Sequence, residues 1–336
     1  MRSLVLEEAR KLAWHEIPEP ERRHEREAIV RPLAVATCDL DQPMIFGMTP
    51  FVLPLHLGHE CVAEVVEGPD GFAPGQRVVV PFQISCGTCD RCQRGRTGDC
   101  ARVRPISMYG FGQTGGNWGG MLSDLALVPY AEAMLVPLPD GVDSAAVASA
   151  ADNIPDGWRA VAAALAERPG AEVLVVSGGL MRSLPLHAVD AALALGSQSV
   201  TYVDNDAERL QVAEQLGAEV VDGEPERSLG RFPITVDGTC MPDGLVATLG
   251  LTDWGGRCTS LGQVVPEAPL PLVELFSRGV QLHIGREMVR PAIPVVLDLI
   301  GAGRLRPELI TSATCSWEEA PEALLEPTTK LVISRS

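Results

Sequence analysis

The sequence predicts an α/β protein of two unlike parts: a β-rich first half, then a doubly wound parallel sheet. Three observations carry that expectation. Residues 1 to about 150 are rich in Pro, Gly and short β-type runs. From about residue 171, strand-like and helix-like segments alternate. The 336 residues, 46% hydrophobic and 21% charged, describe a globular chain with room for one large or two ordinary domains.

In the first half, "EAIVRPLAV", "HECVAEVVEG" and "GQRVVVPF" set β-branched residues between Gly and Pro, which reads as an antiparallel or barrel-like β domain with long loops. In the second, "AEVLVVSGG" is a buried strand, "SLPLHAVDAALALG" a helix, "SVTYVD" a strand and "NDAERLQVAEQLG" a helix. "AEVVDG", "PITVDG", "GGRCTSLG" and "VQLHIG" follow as strands. In the first of these helices Ser183 is the expected cap, Pro185 fits the first turn, Leu186, Val189 and Leu193 share a face, and Gly196 ends it. His187 reads as a packing residue there. The tail reads as a helix over "RPAIPVVLDLIGAGRLRPELI" and a strand in "TKLVIS" that can return to the first part.

Charge and hydropathy exclude several function classes. The chain has 44 acidic and 27 basic residues, a net charge of −17, which argues against nucleic acid or an anionic membrane as the main partner, since both need a basic face. No apolar run approaches the roughly 18 residues of a membrane span. The start, "MRSLVLEEARKLAWHE", carries charges where a signal peptide would be apolar. The expected location is the cytoplasm, where thiols stay reduced.

Four of the nine cysteines lie in "CGTCDRCQRGRTGDC", with Cys86, Cys89, Cys92 and Cys100 spaced C-x2-C-x2-C-x7-C. Gly87, Gly95 and Gly98 let such a loop wrap. Four thiolates at these intervals suit one tetrahedral structural zinc, an iron–sulfur cluster being the lesser alternative. A second constellation is spread along the chain: Cys38 in "ATCDLD", His59 and Glu60 in "LGHE", and Asp152 in "SAADNIPDGW". A thiolate, an imidazole and a carboxylate form the ligand set of a catalytic zinc with an open fourth position.

On these residues the sequence resembles the zinc-dependent alcohol dehydrogenases of the medium-chain dehydrogenase/reductase superfamily, over nearly the whole chain. The resemblance rests on Cys38 to Asp41, on Gly58-His59-Glu60, on the four-cysteine lobe and on "DNIPDGW" at 152 to 158. It implies a GroES-like catalytic domain at 1–151 and 287–336, with the zinc lobe at 86–100, and a Rossmann domain at 152–286. It also implies that Cys38, His59 and Asp152 bind the catalytic zinc, with Glu60 and Asp41 beside them, and that NAD(H) exchanges a hydride with a small alcohol or carbonyl substrate. A homodimer or homotetramer is implied as well.

Two positions depart from the family. Leu40 stands where a hydroxyl usually relays the proton, leaving water, Asp41 or Asp156 as the exit. The phosphate turn reads "VVSGGLMRSLPL", with Gly178 and Gly179 but no third glycine, and Arg182 where the helix begins. The expected cofactor residues are Gly178, Gly179, Arg182, Asp204 and Gly262. Asp204 is expected to accept the ribose hydroxyls and repel a 2′-phosphate, favouring NAD, with a simple cap as the alternative. Asp237-Gly238-Thr239 and Leu261-Gly262-Gln263 end later strands near the nicotinamide half, though turn chemistry explains them equally well. Trp118, Trp158 and "MYGFG" at 108 to 112 are candidate pocket walls. These departures leave a second function open, in which the fold serves non-redox zinc chemistry, as a lyase or cyclase, or binding.

Overall fold

Strands form in the first half where Val, Ile and Ala follow one another between turns. A computed structural model of the protein describes residues 1–262 and 267–335, so Gln263 lies outside it. The early strands are β1 (Arg2–Glu8), β2 (Lys11–Glu16), β3 (Ala28–Ala36), β4 (Leu55–His56), β5 (Glu60–Glu67), β6 (Arg77–Val80), β7 (Ala126–Val128) and β8 (Val136–Pro137). Then come β9 (Val173–Val176), β10 (Val200–Asp204), β11 (Glu219–Asp222), β12 (Phe232–Asp237), β13 (Thr252–Ser260) and β14 (Gln281–Ile284). The last two are β15 (Ala313–Ser316) and β16 (Leu331–Ser334).

The chain divides into two compact units. The first comprises residues 1–155, 288–301 and 311 onward; the second, 156–287 and 302–310. The first unit carries a largely antiparallel sheet in the order β15-β16-β3-β5-β6-β8, with β7 against β3, and a smaller sheet β2-β1-β4. Its core includes Leu4, Val30, Val35, Ile45, Val78 and Met121, each at most 1% exposed. The C-terminal strand β16 pairs antiparallel with β3, Val332 facing Ala36, and β3 pairs with β5, Ala36 facing Glu60.

The second unit is a six-stranded parallel sheet in the order β11-β10-β9-β12-β13-β14. This is the doubly wound nucleotide-binding arrangement, with its switch point between β9 and β12. "VLVV" of β9 is wholly buried, as a central strand covered on both faces must be. Helices Asn153–Glu167 and Leu184–Ala194 approach closely at Gly157, where a Cβ would lie 2.6 Å from the His187 backbone. His187 is 3% exposed, a packing residue.

The boundaries differ from those expected at Glu287, which falls in the second unit, and in two longer stretches. Residues 152–155 belong to the first unit, so Asp152 shares a unit with Cys38 and His59. Residues 302–310 belong to the second, because the Arg306 amide donates to the Asp190 carboxylate at 2.7 Å and the Arg304 guanidinium donates to the Ala194 carbonyl. Among the described residues, no helix is long and apolar enough to cross a membrane.

Candidate functional site

The four-cysteine loop closes on itself. Gly87 (φ +69°) and Gly95 (φ +78°) take left-handed conformations that only glycine adopts cheaply, and the helical turn Asp90–Gln93 sits between them. The four sulfurs lie within 4.8 Å of one another. Amide groups point at them: Ala101 donates to Cys89 Sγ and Arg102 to Cys100 Sγ, each at 3.4 Å. Backbone donors at Cys92 and Ala101 hold the Cys89 thiol down at about 6. Donors aimed at sulfur favour thiolates, the form that binds metal. All nine cysteines are free of disulfides.

The second cluster forms where β3 ends and β5 begins. Because Ala36 faces Glu60, the segment just after β3 brings Cys38 beside His59 and Glu60. Gly58 (φ +90°) makes the turn before His59, and a Cβ there would strike the Leu122 amide at 2.7 Å. Asp152 arrives from the short helical turn Ala148–Ala151. Donor atoms of Cys38, His59, Glu60 and Asp152 all lie within 4.8 Å of one another.

His59 is 0% exposed, yet among the described residues neither ring nitrogen has a hydrogen-bond partner. Nε2 stands 3.5 Å from Asp152 Oδ2 and Nδ1 3.7 Å from Asp41 Oδ1. Asp41 also accepts the Cys38 amide at 2.8 Å through its other oxygen. Burial opposes a charge on His59, but Asp41, Asp152 and Glu60 outweigh it and raise the imidazole to about 9. Burial, then Asp152, pushes the Cys38 thiol well up. Burial lifts Glu60 to about 7 against the pull of Lys330. A half-buried thiol, an imidazole with unmet nitrogens and several acids form a pocket of donors short of positive charge. That donor set, soft sulfur with imidazole and carboxylate, fits zinc.

One wall of this cluster is apolar. The His59 ring packs against Phe82 and Phe111 at 5.6 and 4.9 Å between centroids. Leu40, Phe51, Met108 and Val289 pack with the same phenylalanines. The residue lacking a relay hydroxyl therefore belongs to an apolar surface, and Met108 and Phe111 of "MYGFG" join it. Asp156, the other suggested proton exit, is held by the Arg159 guanidinium at 2.7 Å.

At the carboxyl edge of the parallel sheet, both glycines of the turn have backbone reasons. Gly178 has φ +84°, and a Cβ on Gly179 would lie 2.0 Å from the Thr239 carbonyl. The Leu180 amide donates to that carbonyl at 2.9 Å. A Cβ on Gly262 would meet Met181 and Cys240 at 2.8 Å each. The loops after β9, β12 and β13 thus pack on one another. The helix starts at Leu184; Ser183 flanks it, but its side chain makes no cap bond. Arg182 is half-buried at this edge. Asp237 accepts from Thr239 Oγ1 at 2.7 Å and Ser260 Oγ at 2.9 Å, as turn chemistry requires.

Asp204 ends β10 and is densely hydrogen-bonded. It is 0% exposed and accepts from Arg209 Nε and Nη2 at 2.7 Å each, from Tyr202 Oη at 2.6 Å and from the Asn205 amide at 2.7 Å. Despite burial, these donors hold its carboxyl below the usual range. Its charge is paired inward with Arg209. Sequence reasoning missed Arg209, five positions on, and also Lys330, whose ammonium reaches Glu60 Oε2 at 2.8 Å. An Asp followed five residues later by Arg on the next helix was a usable signal; a lone Lys before a strand was not.

The alcohol dehydrogenase GroES-like domain family matches residues 24–140. An alcohol dehydrogenase from Thermus sp. ATN1 superposes over 100% of both chains with a TM-score of 0.91 at 29% identity. A medium chain reductase/dehydrogenase from Acremonium sp is 30% identical over 234 residues, 66% of this chain and 76% of that protein. The chain belongs to the medium-chain dehydrogenase/reductase family. A glutathione-independent formaldehyde dehydrogenase from Pseudomonas aeruginosa is 32% identical over 227 residues, 64% of this chain but only 55% of its own length. The chain thus spans about half the length of that curated relative. As a medium-chain dehydrogenase/reductase fold, it carries both the GroES-like domain and the Rossmann sheet.

Proposed function

We propose that this protein is a zinc-dependent oxidoreductase that moves a hydride between a nicotinamide dinucleotide and a small alcohol, aldehyde or ketone. The observation that carries the reading is His59, fully buried with both ring nitrogens unpartnered between Asp41 and Asp152, and with Cys38 alongside. Cys38, His59 and Asp152 would hold the catalytic zinc, and Cys86, Cys89, Cys92 and Cys100 a structural one, two per chain. When bound, the catalytic zinc supplies Lewis-acid polarisation of the substrate oxygen. Asp41 holds the Cys38 amide and faces His59 Nδ1, while Leu40, Phe82 and Phe111 keep water from the reacting side. Gly178, Gly179, Arg182 and Gly262 are the residues proposed to meet the dinucleotide.

Asp204 supplies no charge filter in this reading, so NADH and NADPH should bind within about tenfold of each other, roughly 1.4 kcal/mol. Cysteines free of disulfides support a cytoplasmic location. Leu272, Val273 and Phe276, 68–89% exposed on one short helix, support a homo-oligomer. Calorimetric titration of the purified protein with NADH and NADPH tests the function. Binding of neither would remove the hydride reading and leave non-redox zinc chemistry, which the tightly packed Gly179 turn would then explain.

A further inference from the structure

Lys330 is 2% exposed, immediately before β16. Its ammonium donates to the Thr37 carbonyl at 2.6 Å and to Glu60 Oε2 at 2.8 Å. The backbone around it is pinned: Thr37 N–H donates to the Leu331 carbonyl at 2.9 Å, and Leu331 N–H to Thr37 Oγ1 at 3.0 Å. Lys330 therefore stands beside the segment leading into Cys38 and grips the residue following His59. A buried ammonium is costly unless paired, so its place here has been stabilised by specific partners.

Its partner is ambiguous toward a metal. The Glu60 carboxylate is within 4.8 Å of the donors of Cys38, His59 and Asp152, and its Oε1 is buried without a hydrogen-bond partner among the described residues. The cluster thus offers four protein donors, whereas catalysis needs one position left open. What else Glu60 is bonded to decides between the two. We propose that Lys330 is a positioning residue: by holding Glu60 Oε2 it keeps that carboxylate from occupying the fourth coordination position, and so preserves the position for substrate. This rests on the zinc reading of the cluster. If instead the ion pair only ties three strands together, its removal would weaken the fold without altering the metal's ligands.

The test uses the full chain loaded with cobalt(II) in place of zinc, titrated with azide as an exogenous ligand and followed by visible absorption. Zinc affinity is measured in parallel by chelator competition. Wild type and Lys330→Arg should respond to azide. Lys330→Gln should lose the response and bind zinc at least about tenfold more tightly, the scale on which groups behind the ligands tune metal affinity. In Lys330→Gln/Glu60→Gln the azide response should return, because no fourth carboxylate remains. An unchanged response in Lys330→Gln, or a loss that Glu60→Gln does not rescue, overturns the proposal. Should Lys330→Gln fail to fold, Glu60→Gln alone decides. Azide affinity near that of wild type supports a carboxylate already held aside, and affinity about tenfold tighter overturns it. If wild type takes up cobalt only in the cysteine lobe, with all of it lost in Cys86→Ser, the zinc reading itself falls first.

Discussion

Asp190→Asn should stabilise the protein at neutral pH and leave it unchanged in acid. Asp190 is 2% exposed on helix Leu184–Ala194; one oxygen accepts the Arg306 amide at 2.7 Å and the other has no hydrogen-bond partner among the described residues. Burial, only partly offset by that bond and by the Arg306 charge, raises its carboxyl from 3.8 to about 6. The folded chain therefore holds this proton more tightly than the unfolded chain does. Below about pH 4 both states are protonated and Asp190 costs nothing. As pH rises the unfolded state releases its proton first, so stability falls until the folded carboxyl also ionises. Above about pH 6 the full cost, about 3 kcal/mol, is in place. Asparagine keeps an acceptor for Arg306 and never ionises, so the variant should gain that amount. Urea unfolding of both proteins between about pH 4 and pH 8 measures the difference, and comparing the two cancels pH effects they share. A constant difference across that range, or a variant less stable than wild type at the alkaline end, would refute the reasoning.

Elemental analysis should find two zinc ions per chain, one lost in Cys86→Ser and the other in His59→Ala; retention of both in His59→Ala would mean that the buried cluster is not a metal site. Gly179→Ala should destabilise by about 1–3 kcal/mol through overpacking, since its Cβ meets the Thr239 carbonyl at 2.0 Å. Gly178→Ala, whose nearest neighbour is 3.6 Å away, should cost about 1–2 kcal/mol from its left-handed backbone alone. Thermal melts equal to wild type would show that the turn is free to move. Arg209→Met should leave Asp204 buried without its counter-charge, costing about 3 kcal/mol or somewhat less because other donors remain, and should weaken NADPH relative to NADH. An unchanged ratio of the two affinities would place the 2′-phosphate away from Asp204.

Much of the architecture was legible because its signals are local. Strand and helix periodicities repeat over a few residues, so the alternation after residue 171 announced a doubly wound sheet before any contact was known. The cysteine loop was legible for the same reason: fifteen consecutive residues with glycines at the turns can bring their own sulfurs together. The gathering of Cys38, His59 and Asp152 is a different kind of fact. They lie 21 and 93 residues apart in turn, and the register of β3 against β5 is what makes them neighbours.

The sequence by itself determined which elements form, their order, and which side chains have chemistry to offer. Only the tertiary structure decided which charges face one another. An acid ending a strand looks the same whether it meets a ribose or a guanidinium, and Asp204 meets Arg209. A glycine looks the same whether it admits a phosphate or a neighbouring loop, and Gly179 admits Thr239. Lys330 and Glu60 are 270 residues apart, yet they share the low-dielectric space around the proposed metal site. Local propensity depends on neighbours in the chain, whereas desolvation and charge pairing depend on neighbours in space, and those exist only once the sheets have closed.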